Sequence, residues 1–134
     1  MESNRLQGII AAVFTPMNKD YTLNSGQVPK LADALSNNGV NGFFVAGTTG
    51  ETASLTIEER KELAEKWREN TPSQVKLIIH VGHNTLAYAK ELGEHAAYIK
   101  ADAISTIAPN YYKPAHLREL IDYCKAIAES GGDL

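Results

Sequence analysis

The chain has 134 residues, with 13 Lys plus Arg against 16 Asp plus Glu and a formal charge of −3. At 43% apolar and 22% charged it can bury a core, which excludes a disordered polymer, and its mild acidity removes the basic footprint that nucleic-acid binding needs. No apolar run reaches the ~20 residues that cross a bilayer, and Met1-Glu2-Ser3-Asn4-Arg5 lacks the charged start and apolar centre of a signal peptide, so a cytoplasmic protein is expected.

Short apolar runs alternate four times with longer amphipathic stretches. The first run, Gly8 to Phe14, stops at Thr15-Pro16, because proline donates nothing to a sheet ladder. Asn24 is placed to cap a helix whose apolar positions Val28, Leu31, Ala32 and Leu35 share one face, and Asn37-Asn38-Gly39 ends it with residues that tolerate positive φ. The second run, Phe43 to Ala46, leads into Gly47-Thr48-Thr49-Gly50-Glu51. Thr56 and Glu59 have the spacing of a capping box, in which each side chain accepts from the other's backbone N–H, and the helix that follows turns Leu63, Ala64 and Trp67 inward until Pro72. Val75 to Val81 is the third run. Asn84 is placed to cap a third helix with Leu86, Ala89, Leu92, Ala96 and Ile99 on one stripe. Ala103 to Ala108 is the fourth run, and a helix after Pro114 directs Leu117, Leu120, Ile121, Cys124 and Ala128 to the core before Gly131-Gly132.

Strands are thus expected near 8–15, 42–46, 75–81 and 102–108, each followed by a helix long enough for a crossover. That pattern implies an α/β fold with parallel strands covered on both faces. A four-stranded doubly wound sheet and one half of a closed (βα)₈ barrel both satisfy it. No low-complexity stretch or linker divides the chain, so residues 1–134 read as one unit.

Ligands of α/β folds sit at the carboxyl ends of the strands, where Gly47-Thr48-Thr49-Gly50 falls. Two glycines allow a tight turn that aims consecutive N–H groups at one point, and two hydroxyls add donors, a combination suited to a small carboxylate or phosphate. An ordinary turn accounts for the same residues. Tyr111 and Tyr112 lie at the same rim after the fourth strand, where a phenol can donate to a substrate oxygen, although tyrosines also simply pack at such surfaces. His80 and His83 bracket Gly82, but with no carboxylate or thiol close by in sequence they read as satisfied or surface histidines. Cys124 sits on an apolar stripe and forms no internal disulfide, and no Cys/His cluster has zinc spacing, so no metal is expected. Lys113, held in a loop between Tyr112 and Pro114, is poorly placed for the desolvation an imine-forming lysine requires.

These motifs together resemble the N-acetylneuraminate lyase and dihydrodipicolinate synthase family of pyruvate-dependent class I aldolases. The resemblance runs through GIIAAVFTP at Gly8 to Pro16, GTTGE at Gly47 to Glu51, Glu59-Arg60, Ile79 to Gly82, Ala101 to Ala103 and IAPNYYKP at Ile107 to Pro114. The stretch SLTIEERKELAEKW, the IIHVG run and the last of these motifs are most similar to the sialic acid lyases.

The resemblance implies the first (βα)₄ half of a (βα)₈ barrel, cofactor-free and homotetrameric when intact, that cleaves N-acetylneuraminate to N-acetylmannosamine and pyruvate. It implies that Thr48 and Thr49, shaped by Gly47 and Gly50, hold the pyruvate carboxylate, and that Tyr111 is the rim tyrosine that in some members reaches a neighbouring site. The Schiff-base lysine of the family, on strand six, is expected beyond Leu134, which would leave these residues inactive alone. A synthase-like or other keto-acid aldolase fragment, a small-acid binder and an assembly partner are the alternatives. The unpaired edges of a half barrel also predict self-association.

Overall fold

The computed structural model describes residues 6–134 and contains four strands alternating with four helices. The elements are β1 (Ile10–Ala12), α1 (Val28–Asn37), β2 (Gly42–Val45), α2 (Ile57–Asn70), β3 (Lys76–His80), α3 (Leu86–Tyr98), β4 (Ala103–Ser105) and α4 (Leu117–Ser130). All neighbouring strands pair in parallel, in the sequential order β1-β2-β3-β4. Paired strands are shorter than the apolar runs that predict them, and single backbone bonds continue past their ends, as from Val13 N–H to Phe44 O at 3.1 Å and from Val81 N–H to Ser105 O at 2.8 Å.

Strand order separates the two architectures. A doubly wound sheet reverses direction at a switch point, whereas sequential order with a helix in each crossover lays the helices side by side in one layer. Here α1 packs on α2, α2 on α3, and α3 on α4, so the unit is half a (βα)₈ barrel. The expectation that both sheet faces are covered therefore fails on one side. Phe43, Val45, Leu77 and Ile79 point into the helix layer and are buried, whereas Ile10 and Phe14, on the opposite face by strand alternation, remain 38% and 55% exposed.

Burial of Trp67 and Leu63 against this sheet contributes about 2 kcal/mol each. The Phe43 and Trp67 rings meet with centroids 4.8 Å apart. The capping box of α2 forms in full: Glu59 N–H donates to Thr56 Oγ1 at 3.1 Å and Thr56 N–H to Glu59 Oε2 at 2.8 Å.

Three local expectations are corrected. Asn24 precedes a single 3-10 turn, Ser25–Gln27, with no side-chain cap, and α1 starts only at Val28, with Pro29 pre-setting its first turn. Asn84 does not cap α3; its carboxamide binds another loop, as described below. On α4 the buried residues are Tyr123 and Ile127, while Leu117 is 71% exposed, Ile121 43% exposed and Ala128 exposed. Among the described residues α3 is the helix that packs on α4, and the side of the predicted stripe that faces away from α3 is open.

The amino ends of β3 and β4 are joined by Asp102. Its carboxylate accepts from Lys76 Nζ at 2.8 Å and Leu77 N–H at 2.9 Å, with Arg68 Nη1 at 3.4 Å. Burial alone would raise its pKa, but the hydrogen bonds from Lys76 and Leu77 and the two cationic charges outweigh it and hold the carboxyl below its ordinary value. A lowered folded-state pKa contributes stability that is present above the unfolded value of about 3.9 and is lost as pH falls through the folded one. Asp102→Asn is expected to cost about 1 kcal/mol at neutral pH, discounted for partial exposure. Urea midpoints across the acidic range should show the gap to wild type closing as pH falls; a gap that widens contradicts the assignment.

Candidate functional site at the carboxyl ends of the strands

The loop after β2 is shaped by backbone constraint. Ala46 and Glu51 both adopt left-handed φ of 56° and bracket the turn Gly47-Thr48-Thr49-Gly50. Such φ is costly for a residue with a Cβ and persists where surrounding structure over-determines it. A Cβ at Gly50 would lie 3.0 Å from Ala46 Cα and 3.2 Å from the Val13 carbonyl, and one at Gly47 would enter the Phe44 ring.

Hydrogen bonds tie the loop down. Thr15 Oγ1, at the end of the first apolar run, donates to the Gly50 carbonyl at 2.6 Å in a buried setting. Glu51 N–H donates to Thr48 O at 3.0 Å, and Thr52 N–H to Gly47 O at 3.3 Å. Gly47 and Gly50 are buried while Thr48 and Thr49 stand exposed at the rim, and among the described residues no protein acceptor takes either threonine's N–H. Two backbone donors and two exposed hydroxyls thus have no protein acceptor among the described residues at a strand's carboxyl end, and donors of these types can hold a small carboxylate.

The loop after β3 is clamped from both flanks. Arg60, 2% exposed on α2, donates through Nη2 to His80 O at 2.6 Å and through Nη1 to Gly82 O at 3.1 Å. From α4, Tyr123 OH donates to His83 O at 2.7 Å. Burial pushes the Arg60 guanidinium down to about 10, which leaves it charged at neutral pH.

His80 departs from the satisfied or surface histidine expected. It is 3% exposed, lies beside the Phe44 ring, and its Nδ1 has no partner. Burial, then the Arg60 charge, drives its pKa down to about 4, so it is neutral at physiological pH. His83 turns elsewhere, its Nδ1 accepting from Thr85 N–H at 2.8 Å and its ring edge-on to Tyr88. Among the described residues no three His, Cys, Asp or Glu side chains gather as metal ligands.

Asn84 Oδ1 accepts from the N–H groups of Asn110 and Tyr111 at 3.0 and 3.2 Å, fastening the loop after β4 to the loop after β3. Tyr111 and Tyr112 form an edge-to-face pair with centroids 4.8 Å apart and are 76% and 84% exposed. Lys113 is exposed and Cys124 is half-buried. A pocket of about 150 Å³ lies between these loops and is lined by Thr52, Arg60, His80, His83, Asn84 and Asn110 among others, but neither Thr48 nor Thr49 borders it. This pocket and the threonine rim are therefore separate features. Reading for chemistry alone gave Arg60 no role; the available signal was a cation on the same stripe as Leu63, Ala64 and Trp67, where charge must find partners.

Fold and rim together define a half-barrel unit with a glycine-threonine loop at the mouth of its second strand. The chain belongs to the dihydrodipicolinate synthetase family, whose model matches residues 5–134. It is 41% identical over 132 residues to N-acetylneuraminate lyase A of Xenopus laevis, covering 97% of this chain and 43% of that relative, and 40% identical over 126 residues to the Homo sapiens N-acetylneuraminate lyase, covering 92% and 39%. The chain thus spans less than half the length of these relatives. Among solved structures, Proteus mirabilis N-acetylneuraminate lyase superposes with a TM-score of 0.93 at 39% identity over 97% of this chain and 44% of that one. A prophage protein of the dihydrodipicolinic acid synthase family from E. coli, in complex with pyruvate, superposes with a TM-score of 0.87 at 34% identity over 92% and 41%.

The depressed His80 pKa makes a directional prediction. The unfolded histidine takes up protons near pH 6.5 while the folded one resists until about 4, so stability should fall as pH is lowered through that interval. Denaturation midpoints from pH 7 to 4 should show the decline, and His80→Gln should flatten it; an unchanged slope would show that His80 is not its source.

Proposed function

We propose that this chain forms the keto-acid-holding part of an N-acetylneuraminate lyase-type aldolase. Thr48 and Thr49 hold the carboxylate of pyruvate, or of the keto-acid sugar that yields it, while Gly47 and Gly50 let the backbone approach. The observation that carries this reading is the tied-down loop, which leaves both threonine amides without a protein acceptor at a parallel strand's carboxyl end. The about 40% identity to N-acetylneuraminate lyases and the pyruvate bound by a structural relative support the same ligand class.

Carbon–carbon cleavage requires an amine that condenses with the keto carbon and withdraws electrons from the scissile bond. Among the described residues, Lys76 is the only lysine on a strand; it lies at the amino end of β3, opposite the rim, and is paired with Asp102. Lys19 and Lys113, in the loops after β1 and β4, are both exposed. None of these suits imine formation, so in this reading residues 1–134, as a single unit, supply positioning and a lysine from outside them supplies the nucleophile. In this reading Tyr111, exposed at the rim, serves a neighbouring subunit of a homo-oligomer, and its exposure is what supports the role.

Incubation with pyruvate and borohydride followed by mass spectrometry tests this directly. The 134-residue chain should bind pyruvate saturably, form no reduced adduct and cleave no N-acetylneuraminate. Thr48→Ala combined with Thr49→Ala should weaken binding at least tenfold, as expected for losing hydrogen bonds to a charged group. A stable pyruvate adduct would overturn the division of roles, and unchanged binding by the double variant would overturn the threonine assignment.

A further inference from the structure

Gly50 is gripped by the segment that follows β1. Val13 N–H continues the parallel pairing with β2 by donating to Phe44 O at 3.1 Å, and Thr15, 8% exposed, lies two residues further on. Its Oγ1 donates to the Gly50 carbonyl at 2.6 Å, and a Cβ at Gly50 would meet the Val13 carbonyl at 3.2 Å, so hydroxyl and backbone of this segment converge on one glycine. The bonds from Glu51 N–H to Thr48 O and from Thr52 N–H to Gly47 O close the turn on itself and do not set where it sits against the sheet. Pro16 follows Thr15 and disfavours a helical backbone there, which restricts where the hydroxyl can point.

We propose that Thr15 is a positioning residue for the keto acid, aiming the Thr49 N–H through two successive peptide planes without touching the ligand. The proposal rests on the reading that Thr48 and Thr49 hold the carboxylate. A peptide unit is planar, so a bond that fixes its carbonyl also fixes the N–H on its other side. The Gly50 carbonyl held by Thr15 shares a plane with the Glu51 N–H, and that N–H donates to Thr48 O at 3.0 Å. The Thr48 carbonyl in turn shares a plane with the Thr49 N–H. All peptide bonds among the described residues are trans, so the Thr49 N–H points away from the carbonyl that Glu51 holds. Without the Thr15 hydroxyl, the Gly50 carbonyl would be left buried and unpaired, a cost the turn escapes by rotating that plane and releasing Thr48. Left-handed Ala46 and Glu51 favour such a rotation, since a φ of 56° is costly for a residue with a Cβ.

Pyruvate affinity and amide hydrogen exchange of the 134-residue chain test the proposal with two variants. Thr15→Val keeps the shape and loses the donor, and should weaken pyruvate binding about fivefold or more, whereas Thr15→Ser keeps the hydroxyl and should bind within about twofold of wild type. In Thr15→Val the Glu51 amide should exchange faster while the β3 amides keep their protection. Thr48→Ala combined with Thr49→Ala, measured alongside, separates the two ideas. Unchanged binding by that double variant overturns the threonine reading itself; weakened binding there with wild-type affinity in Thr15→Val overturns the role of Thr15 alone. Thr15→Ser binding as weakly as Thr15→Val would show that the hydroxyl is not the cause. Unfolding of Thr15→Val, or faster exchange spread through β3, would make Thr15 a residue of general stability and overturn the proposal as well.

Discussion

The buried hydrogen bond from Thr15 to the Gly50 carbonyl fixes the geometry on which the site depends. It joins the end of the first apolar run to a loop whose two left-handed residues, Ala46 and Glu51, would relax if the loop were free to drift. The bond holds the Gly50 carbonyl in a buried setting, while Thr48 and Thr49 stay exposed. The sheet supplies the anchors: parallel pairing of β1 with β2 brings residues 35 positions apart in sequence within reach of one hydroxyl.

A second constraint, the Arg60 clamp, holds the neighbouring loop. Carrying a guanidinium on the buried face of α2 is tolerable because two of its nitrogens meet the His80 and Gly82 carbonyls, groups the open end of β3 would otherwise leave without partners. The same cation discourages protonation of His80, which therefore contributes volume and a ring face rather than charge. The rim thus combines a tied threonine loop, a clamped β3 loop, and the Asn84 brace to the tyrosine loop, while Asp102 ties the opposite end of the sheet.

Much of this was legible in residue order, for physical reasons that also mark the limit. The apolar runs and the Thr56–Glu59 spacing report local energetics, so the strands' positions and the start of α2 followed from them. Strand order did not, because it depends on which faces meet, and periodicity is the same for a wound sheet and a half barrel. The stripe on α4 predicts an apolar surface correctly but not its burial, since burial requires a neighbour that the described residues do not supply. Asn84 looked like a cap because its type suits one; a longer-range partner, the backbone of Asn110 and Tyr111, took its carboxamide instead. The glycine-threonine loop was recognisable as a candidate cup from its composition and its place after a strand, whereas the Thr15 tether and the Arg60 clamp are contacts between distant segments that no local pattern encodes.

Amide chemical shifts of the labelled chain during a pyruvate titration test the central claim most directly. Holding of the carboxylate by the threonine loop predicts that the Thr48 and Thr49 amides shift first and furthest, with a common saturation curve. Shifts confined to the pocket around Arg60, His83 and Asn110, or none at all, would contradict it.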